Sequence, residues 1–231
     1  MSTWHSGPFL AFDTETTGTN TEVDRIVTAT TVLIQPDQQP QVTSWLINPG
    51  VPIPDTATAV HGITDDHAIT HGRPPAECVP EIVGVLTSAA ASGVPVLAYN
   101  AAYDLTLLDR EARRHGGLAM PAGMWVLDPF VIDKQVDRYR KGKRTLTAAC
   151  EHYGVVHGGA HDATADALAA ARVMWQITRR YPHIGAMSLT ELHEAQQRWA
   201  AEQAASFRDY LIKQGTTDDL PDGQWPIRTQ H

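Results

Sequence analysis

The sequence predicts an α/β fold built on a mixed sheet, flanked by helices and followed by a C-terminal helical extension. Three β-rich stretches, within 9–18 and at 26–34 and 41–47, are joined by short turn-forming segments, which pairs neighbours antiparallel as a meander. Further on, short apolar runs at 94–99 and 124–128 alternate with helical periodicity. Strand–helix–strand order of that kind gives parallel pairing. Composition then shifts after Met187, which places a domain over 1–185 and a helix with an irregular tail over 186–231.

The bulk properties narrow the function classes. A chain of 231 residues, 42% hydrophobic and 19% charged, has ample length for a buried core and is not a disordered sequence. Its formal net charge of −8 argues against wholesale electrostatic binding of nucleic acid, while leaving room for a local basic strip. Cys78 and Cys150 have no metal-type spacing and read as reduced core thiols. The N-terminus lacks a basic start followed by an apolar run, and no stretch reaches membrane-spanning length, so a soluble cytoplasmic protein is expected.

Along the chain, Phe9 to Phe12 is apolar and runs into Asp13, Thr14, Glu15, Thr16, Thr17 and Gly18. Strand alternation puts Asp13 and Glu15 on one face and Thr14 on the other. Pro49, Pro52 and Pro54 break up the stretch after the third strand, and Thr64 caps a helix beginning at Asp65. His61 lies in the Val60-His61-Gly62-Ile63 segment just before that cap. Apolar spacing predicts a helix over 81–91, opened by Pro74-Pro75 and closed by Gly93 and Pro95. Asn100 starts a helix over 101–115 with Asp104 in its first turn, and Pro129 starts another directly after Asp128. The run 133–144 is the basic stretch, read as either a solvated loop or a phosphate contact. A short helix over 146–153 ends at Gly154. Asp162 is then the N-cap of an alanine-rich helix read over 167–180, with His161 in the preceding loop and Asp166 in the first turns. Ser188 to Glu191 is a capping box opening a helix that runs to about residue 214; the tail beyond it is irregular, with Trp225 as a tether.

Each acidic site has an ordinary structural explanation alone. Together, Asp13, Glu15, Asp104 and Asp166 are four carboxylates at strand and helix ends, where α/β sheets gather functional groups. Ionised, they share a pocket only if cations neutralise them. Two divalent ions, Mg²⁺ or substituting Mn²⁺, suit all-oxygen ligation and phosphodiester hydrolysis, and His161 is the candidate to deprotonate the attacking water.

At these residues the sequence resembles the DEDD superfamily of 3′–5′ exonucleases, histidine branch, whose members include the epsilon subunit of bacterial DNA polymerase III, ribonuclease T and oligoribonuclease. Phe12-Asp-Thr-Glu-Thr-Thr-Gly18 looks like the first motif, Asn100-Ala-Ala-Tyr-Asp104 the second and His161-Asp-Ala-Thr-Ala-Asp166 the third. The resemblance covers about residues 8–180 and implies a ribonuclease H-like fold. It also implies a two-metal mechanism in which Asp13, Glu15, Asp104 and Asp166 are metal ligands and His161 is the general base. Thr16, Thr17 and His61 would meet the terminal nucleotide, Asn100 sits in the second motif, and Tyr103 would stack on a base. Tyr99 departs from the histidine many members carry there. The implied substrate is the 3′ end of single-stranded nucleic acid, DNA or RNA, and the C-terminal helix is available to a polymerase or a second copy of the chain.

Overall fold

The computed structural model describes residues 4–158, 162–218 and 220–229. A 3₁₀ turn at Trp4–Ser6 precedes β1 (Phe9–Thr16), β2 (Ile26–Ile34) and β3 (Gln41–Leu46). Then come α1 (Asp55–His61), α2 (Asp65–His71), α3 (Pro75–Ala91), β4 (Val96–Leu97), α4 (Ala101–Gly116), β5 (Val126–Leu127) and α5 (Pro129–Val136). The order closes with α6 (Leu146–Tyr153), α7 (Ala163–Arg180), α8 (Pro182–Ala186) and α9 (Leu189–Lys213). The sheet runs β3-β2-β1-β4-β5. β1 pairs antiparallel with β2 and parallel with β4, so it is the central strand where the two halves of the sheet meet.

That position explains the composition of β1. Leu10 and Phe12 enter the core shared with α3 and α4, while Phe9 and Ala11 enter the core shared with α6 and α7. A strand buried on both faces reads as a continuous apolar run. The alanines of α7 serve close approach: Ala167, Ala169, Ala170 and Ala171 are buried, and the helix packs across β1 and β2. Both cysteines are free and buried, as expected of core thiols.

The elements differ from expectation where prolines mislead. α1 forms straight after Pro54, in a stretch the prolines made look broken. α3 starts at Pro75 rather than near 81, with Pro80 inside it. The hydrogen bond lost at Pro80 is offset by burying Cys78, Val79, Ile82 and Val83 on one face. β4 and β5 shrink to two residues each, because the residues after them turn at once into Asn100 and Asp128. α7 begins at Ala163, four residues before the predicted start; Asp162 caps it as expected, accepting from the Ala165 N–H at 2.8 Å.

The C-terminal segment packs back onto the sheet. α9 opens with the Ser188–Glu191 capping box and lies against α5 and β5. Its Gln196, fully buried, accepts from the Asp128 N–H at 2.7 Å and donates to the Val126 carbonyl at 2.9 Å, clamping the end of β5. The tail returns as a tether: Trp225, 7% exposed, joins the α3–α4 core and donates its indole N–H to Asp128 Oδ2 at 3.1 Å. Beyond it, the Arg228 N–H reaches Thr106 Oγ1 and the Arg228 carbonyl accepts from Arg110. Trp225→Ala is expected to destabilise the fold by about 3–5 kcal/mol, the usual cost of emptying a buried tryptophan site, read as a lower urea midpoint.

Candidate metal and active site

The site lies at the C-terminal end of β1, where alternation sorts the acidic residues by face. Asp13 and Glu15 continue the face of Phe9 and Ala11, toward α7. Asp166 projects there from the first turn of α7. Ligand oxygens of Asp13, Glu15 and Asp166 lie within 4.8 Å of one another, the one such cluster among the described residues. Thr14 continues the opposite face, toward α4, and meets Asp104: Asp104 Oδ1 accepts from the Thr14 hydroxyl at 2.7 Å and from its N–H at 3.1 Å. Three of the four predicted carboxylates therefore converge, and the fourth stands beside the strand with its charge engaged by Thr14.

Burial makes this arrangement electrostatically tense. Asp13 is held well above the usual carboxylate range, first by desolvation, then by the negative charges of Asp104, Asp166 and Glu15. Glu15 is pushed up to about 7 by desolvation and by Asp166 and Asp104. Asp104 is also raised, burial outweighing the hydrogen bonds from Thr14 that favour its charged form. Oxygen-only donors, close enough to share one ion and destabilised as free anions, fit a hard divalent cation.

These shifts carry a pH dependence. A carboxylic acid whose pKa is higher folded than unfolded binds more protons in the native state, so stability falls as pH rises between the two values. For Glu15 that window runs from its ordinary 4.5 to about 7. In EDTA the thermal midpoint is expected to drop from pH 5 to pH 8, Glu15 contributing on the order of 1–2 kcal/mol after allowance for its partial exposure to solvent. Mg²⁺ or Mn²⁺ is expected to restore more at pH 8 than at pH 5, since ligation requires the deprotonated forms. A midpoint flat across that range, with no response to cation, would contradict the metal reading.

The turn after β1 is built by short-range polar contacts. The Thr16 hydroxyl, the Tyr103 hydroxyl and the Gly18 carbonyl lie mutually within 2.5–2.8 Å, two protons shared over three contacts. The second motif on α4 is thereby pinned to the first motif on β1. Thr17 braces the turn, its hydroxyl donating to Asp24 Oδ1 and accepting from the Arg25 N–H. Gly18 is held close: a Cβ there would stand 2.5 Å from the Asp24 carboxylate. Asn100 takes a left-handed conformation, φ 64, and donates its N–H to Asp128 Oδ1 at 2.9 Å. His61 ends α1, its Nδ1 accepting from the Ile63 N–H.

Three features were not read from the sequence. His161, the expected base, lies outside the described residues, but His157 is placed on the site, its Nε2 at 2.5 Å from Asp166 Oδ1. No local sequence pattern marked His157 for this contact, which joins the loop after α6 to the first turn of α7. Asp128 organises the start of α4, accepting from the N–H groups of Asn100, Ala101 and Phe130 as well as from Trp225. The basic run is divided: Arg140 and Arg144 both pair with the fully buried Asp133, which also accepts from the Tyr153 hydroxyl. A buried carboxylate demands such partners, so these two arginines are structural. Tyr99, at the position where the family pattern often has histidine, donates to the Arg144 carbonyl and steadies the same loop.

The family model described as exonuclease matches residues 10–174, which span β1 through most of α7 and hold all three motifs. The chain belongs to the exonuclease family. Within it the chain falls in the DnaQ-like, DEDDh branch of 3′–5′ exonucleases, and the expected ribonuclease H-like sheet is the one observed. A DNA polymerase III subunit epsilon-like protein of Rhodobacter capsulatus is 34% identical over 188 residues, covering 79% of this chain and 25% of its own length. A PolC-type DNA polymerase III of Caldanaerobacter subterraneus subsp. tengcongensis is 26% identical over 81% of this chain and 13% of its own. The structure of exonuclease I matches with TM-score 0.66 at 22% identity, over 78% of this chain and 42% of that one. Escherichia coli exonuclease I in complex with a dT13 oligonucleotide matches at 0.65 and 21% identity, over 77% and 42%. This exonuclease-family chain thus spans a quarter or less of those curated relatives and under half of the solved chains. The residues after 174, including α8, α9 and the tail, lie beyond the family match. Among the described residues, no helix is long and apolar enough to cross a membrane.

Proposed function

We propose that this protein hydrolyses phosphodiester bonds one nucleotide at a time from the 3′ end of single-stranded DNA. The observation that carries this is the convergence of Asp13, Glu15 and Asp166 on one point at the end of β1, in a chain of the exonuclease family. Asp13, Glu15 and Asp166 would hold a divalent cation, with Asp104 beside β1 available to a second. Bound there, Mg²⁺ or Mn²⁺ neutralises the clustered carboxylates and stabilises charge on the scissile phosphate.

The chain's own groups would do the rest. His161 accepts the proton of the attacking water, an imidazole being matched to that task near neutral pH. Thr16, fixed by Tyr103 and Gly18, presents its backbone to the terminal sugar, and His61 and Asn100 border the terminal nucleotide. The Tyr103 ring offers a stacking face. His157 occupies Asp166 Oδ1, so a cation taking that oxygen must turn the imidazole away.

DNA is favoured over RNA because the polymerase III relatives are DNA enzymes by name and the exonuclease I neighbours include a dT13 complex. Trimming of RNA 3′ ends is the alternative, since nothing in the three motifs separates ribose from deoxyribose. Rates on matched DNA and RNA oligomers decide it: a DNA rate above the RNA rate supports the proposal, and the reverse order replaces it with the RNA reading.

A further inference from the structure

Away from the carboxylates, the described surface holds two adjoining cavities that the extension after residue 174 helps to build. The first, about 670 Å³, is lined by Thr19 and Asn100 at the site's edge and continues along Phe130, Lys134 and Gln203 to Phe207. The second, about 460 Å³, shares Lys134, Gln203 and Phe207 with it and opens onto Arg138, Tyr139 and Tyr210. The shared residues make the two one continuous groove, walled by α5 and the basic loop on one side and by α9 on the other.

The groove is chemically unlike the rest of a chain whose formal net charge is −8. Its outer part is lined by four cations, Lys134, Arg138, Arg140 and Arg144, against one carboxylate, Glu202. With Arg140 and Arg144 tied to Asp133, the cations left to the outer part are Lys134 and the exposed Arg138, while the inner part carries Arg228 beside Glu22, Asp128 and Asp222. Lys134 lies over the Phe130 ring at 4.7 Å from its centroid. Large aromatic faces stand open to water beside them: Tyr139 is 88% exposed, Tyr210 56% and Phe207 51%. Phe207 and Tyr210 are near-parallel, 13° between planes with centroids 6.3 Å apart. Exposed aromatics cost free energy in water, and alternating them with cations is the chemistry that binds an unpaired strand, bases on rings and phosphates on Lys or Arg.

We infer that this groove carries the single strand upstream of the 3′ nucleotide, with Tyr139, Phe207 and Tyr210 stacking bases and Lys134 and Arg138 contacting phosphates. The inference rests on the proposed exonuclease reading and adds to it a specificity element supplied by the C-terminal extension. It makes the protein prefer strands long enough to reach α9 and exclude duplex, whose stacked bases cannot spread over the rings.

The test is fluorescence anisotropy of labelled dT3 and dT12 with the whole protein in EDTA, so that binding is read without cleavage. Wild type is expected to bind dT12 at least tenfold more tightly than dT3. Arg138→Glu/Tyr139→Ala and, separately, Phe207→Ala/Tyr210→Ala are expected to remove about tenfold of that gain. Losing the Arg138 contact should also lower the slope of log affinity against log salt by about 0.7. An equal-length rU12 probe separates DNA from RNA as occupant. Unchanged dT12 affinity in both variants overturns the inference. So does a wild-type dimer in light scattering that Phe207→Ala/Tyr210→Ala breaks while dT12 binding persists, which assigns the face to a second copy. The two readings fail separately: groove-dependent binding without 3′ cleavage sinks the activity alone, and cleavage with groove-independent binding sinks the groove alone.

Discussion

Asp13→Asn is expected to lower cleavage by about 10³-fold or more while making the metal-free protein more stable. Both effects follow from one cause. Asp13 clusters with Glu15 and Asp166, half-buried, with its ionised form opposed by desolvation and four neighbouring carboxylates. Removing its charge relieves that repulsion, which corresponds to on the order of 1–2 kcal/mol, or about 2–8 °C for a chain of this size, at pH 8 in EDTA. The same change deprives a cation of one of its three clustered ligands, so the stabilisation by Mn²⁺ expected of wild type should vanish along with activity. Differential scanning fluorimetry with and without Mn²⁺, run beside the cleavage assay, reads all three quantities. A variant that is destabilised in EDTA, or that still cleaves, would mean that Asp13 is a structural acid.

His161→Ala is expected to reduce kcat by about 10²- to 10⁴-fold, the usual worth of a positioned general base, with cation-induced stabilisation retained. The retention matters because it separates proton transfer from metal binding. His157 provides the comparison. It contacts Asp166 directly, yet a side chain that must turn away for a cation to bind is not the base, and His157→Ala should cost less than tenfold. The pH profile adds a second readout: the acidic limb of kcat should disappear in His161→Ala and persist in His157→Ala. The opposite pattern would transfer the role of base to His157.

What the sequence showed clearly was set by local rules. The meander, the cap at Thr64, the start of α5 at Pro129, the capping box of α9 and the shared face of Asp13 and Glu15 all follow from turn chemistry, helix caps and strand alternation. The convergence of Asp166 on β1 was legible through motif spacing, since α7 packs across that strand. What could not be read depends on contacts between segments far apart in the chain. Asp104 meets Thr14 because the opposite face of β1 looks toward α4, which alternation implies only once the helices are assigned to faces. Thr17 donates to Asp24, and Arg140 and Arg144 pair with a buried Asp133 whose burial no local pattern announces. Likewise Asp128 looked like the end of a strand, yet it holds the start of α4 with help from Gln196 and Trp225 in the extension.

The most direct test of the exonuclease assignment is degradation of one single-stranded DNA oligomer labelled separately at its 3′ and 5′ ends, with Mg²⁺, Mn²⁺ or EDTA. The expected result is immediate release of the 3′ label as a mononucleotide and a descending ladder from the 5′-labelled strand, both requiring the cation and both absent in Asp13→Asn. Release from the 5′ end first, internal cuts, or cleavage undiminished in EDTA would contradict it.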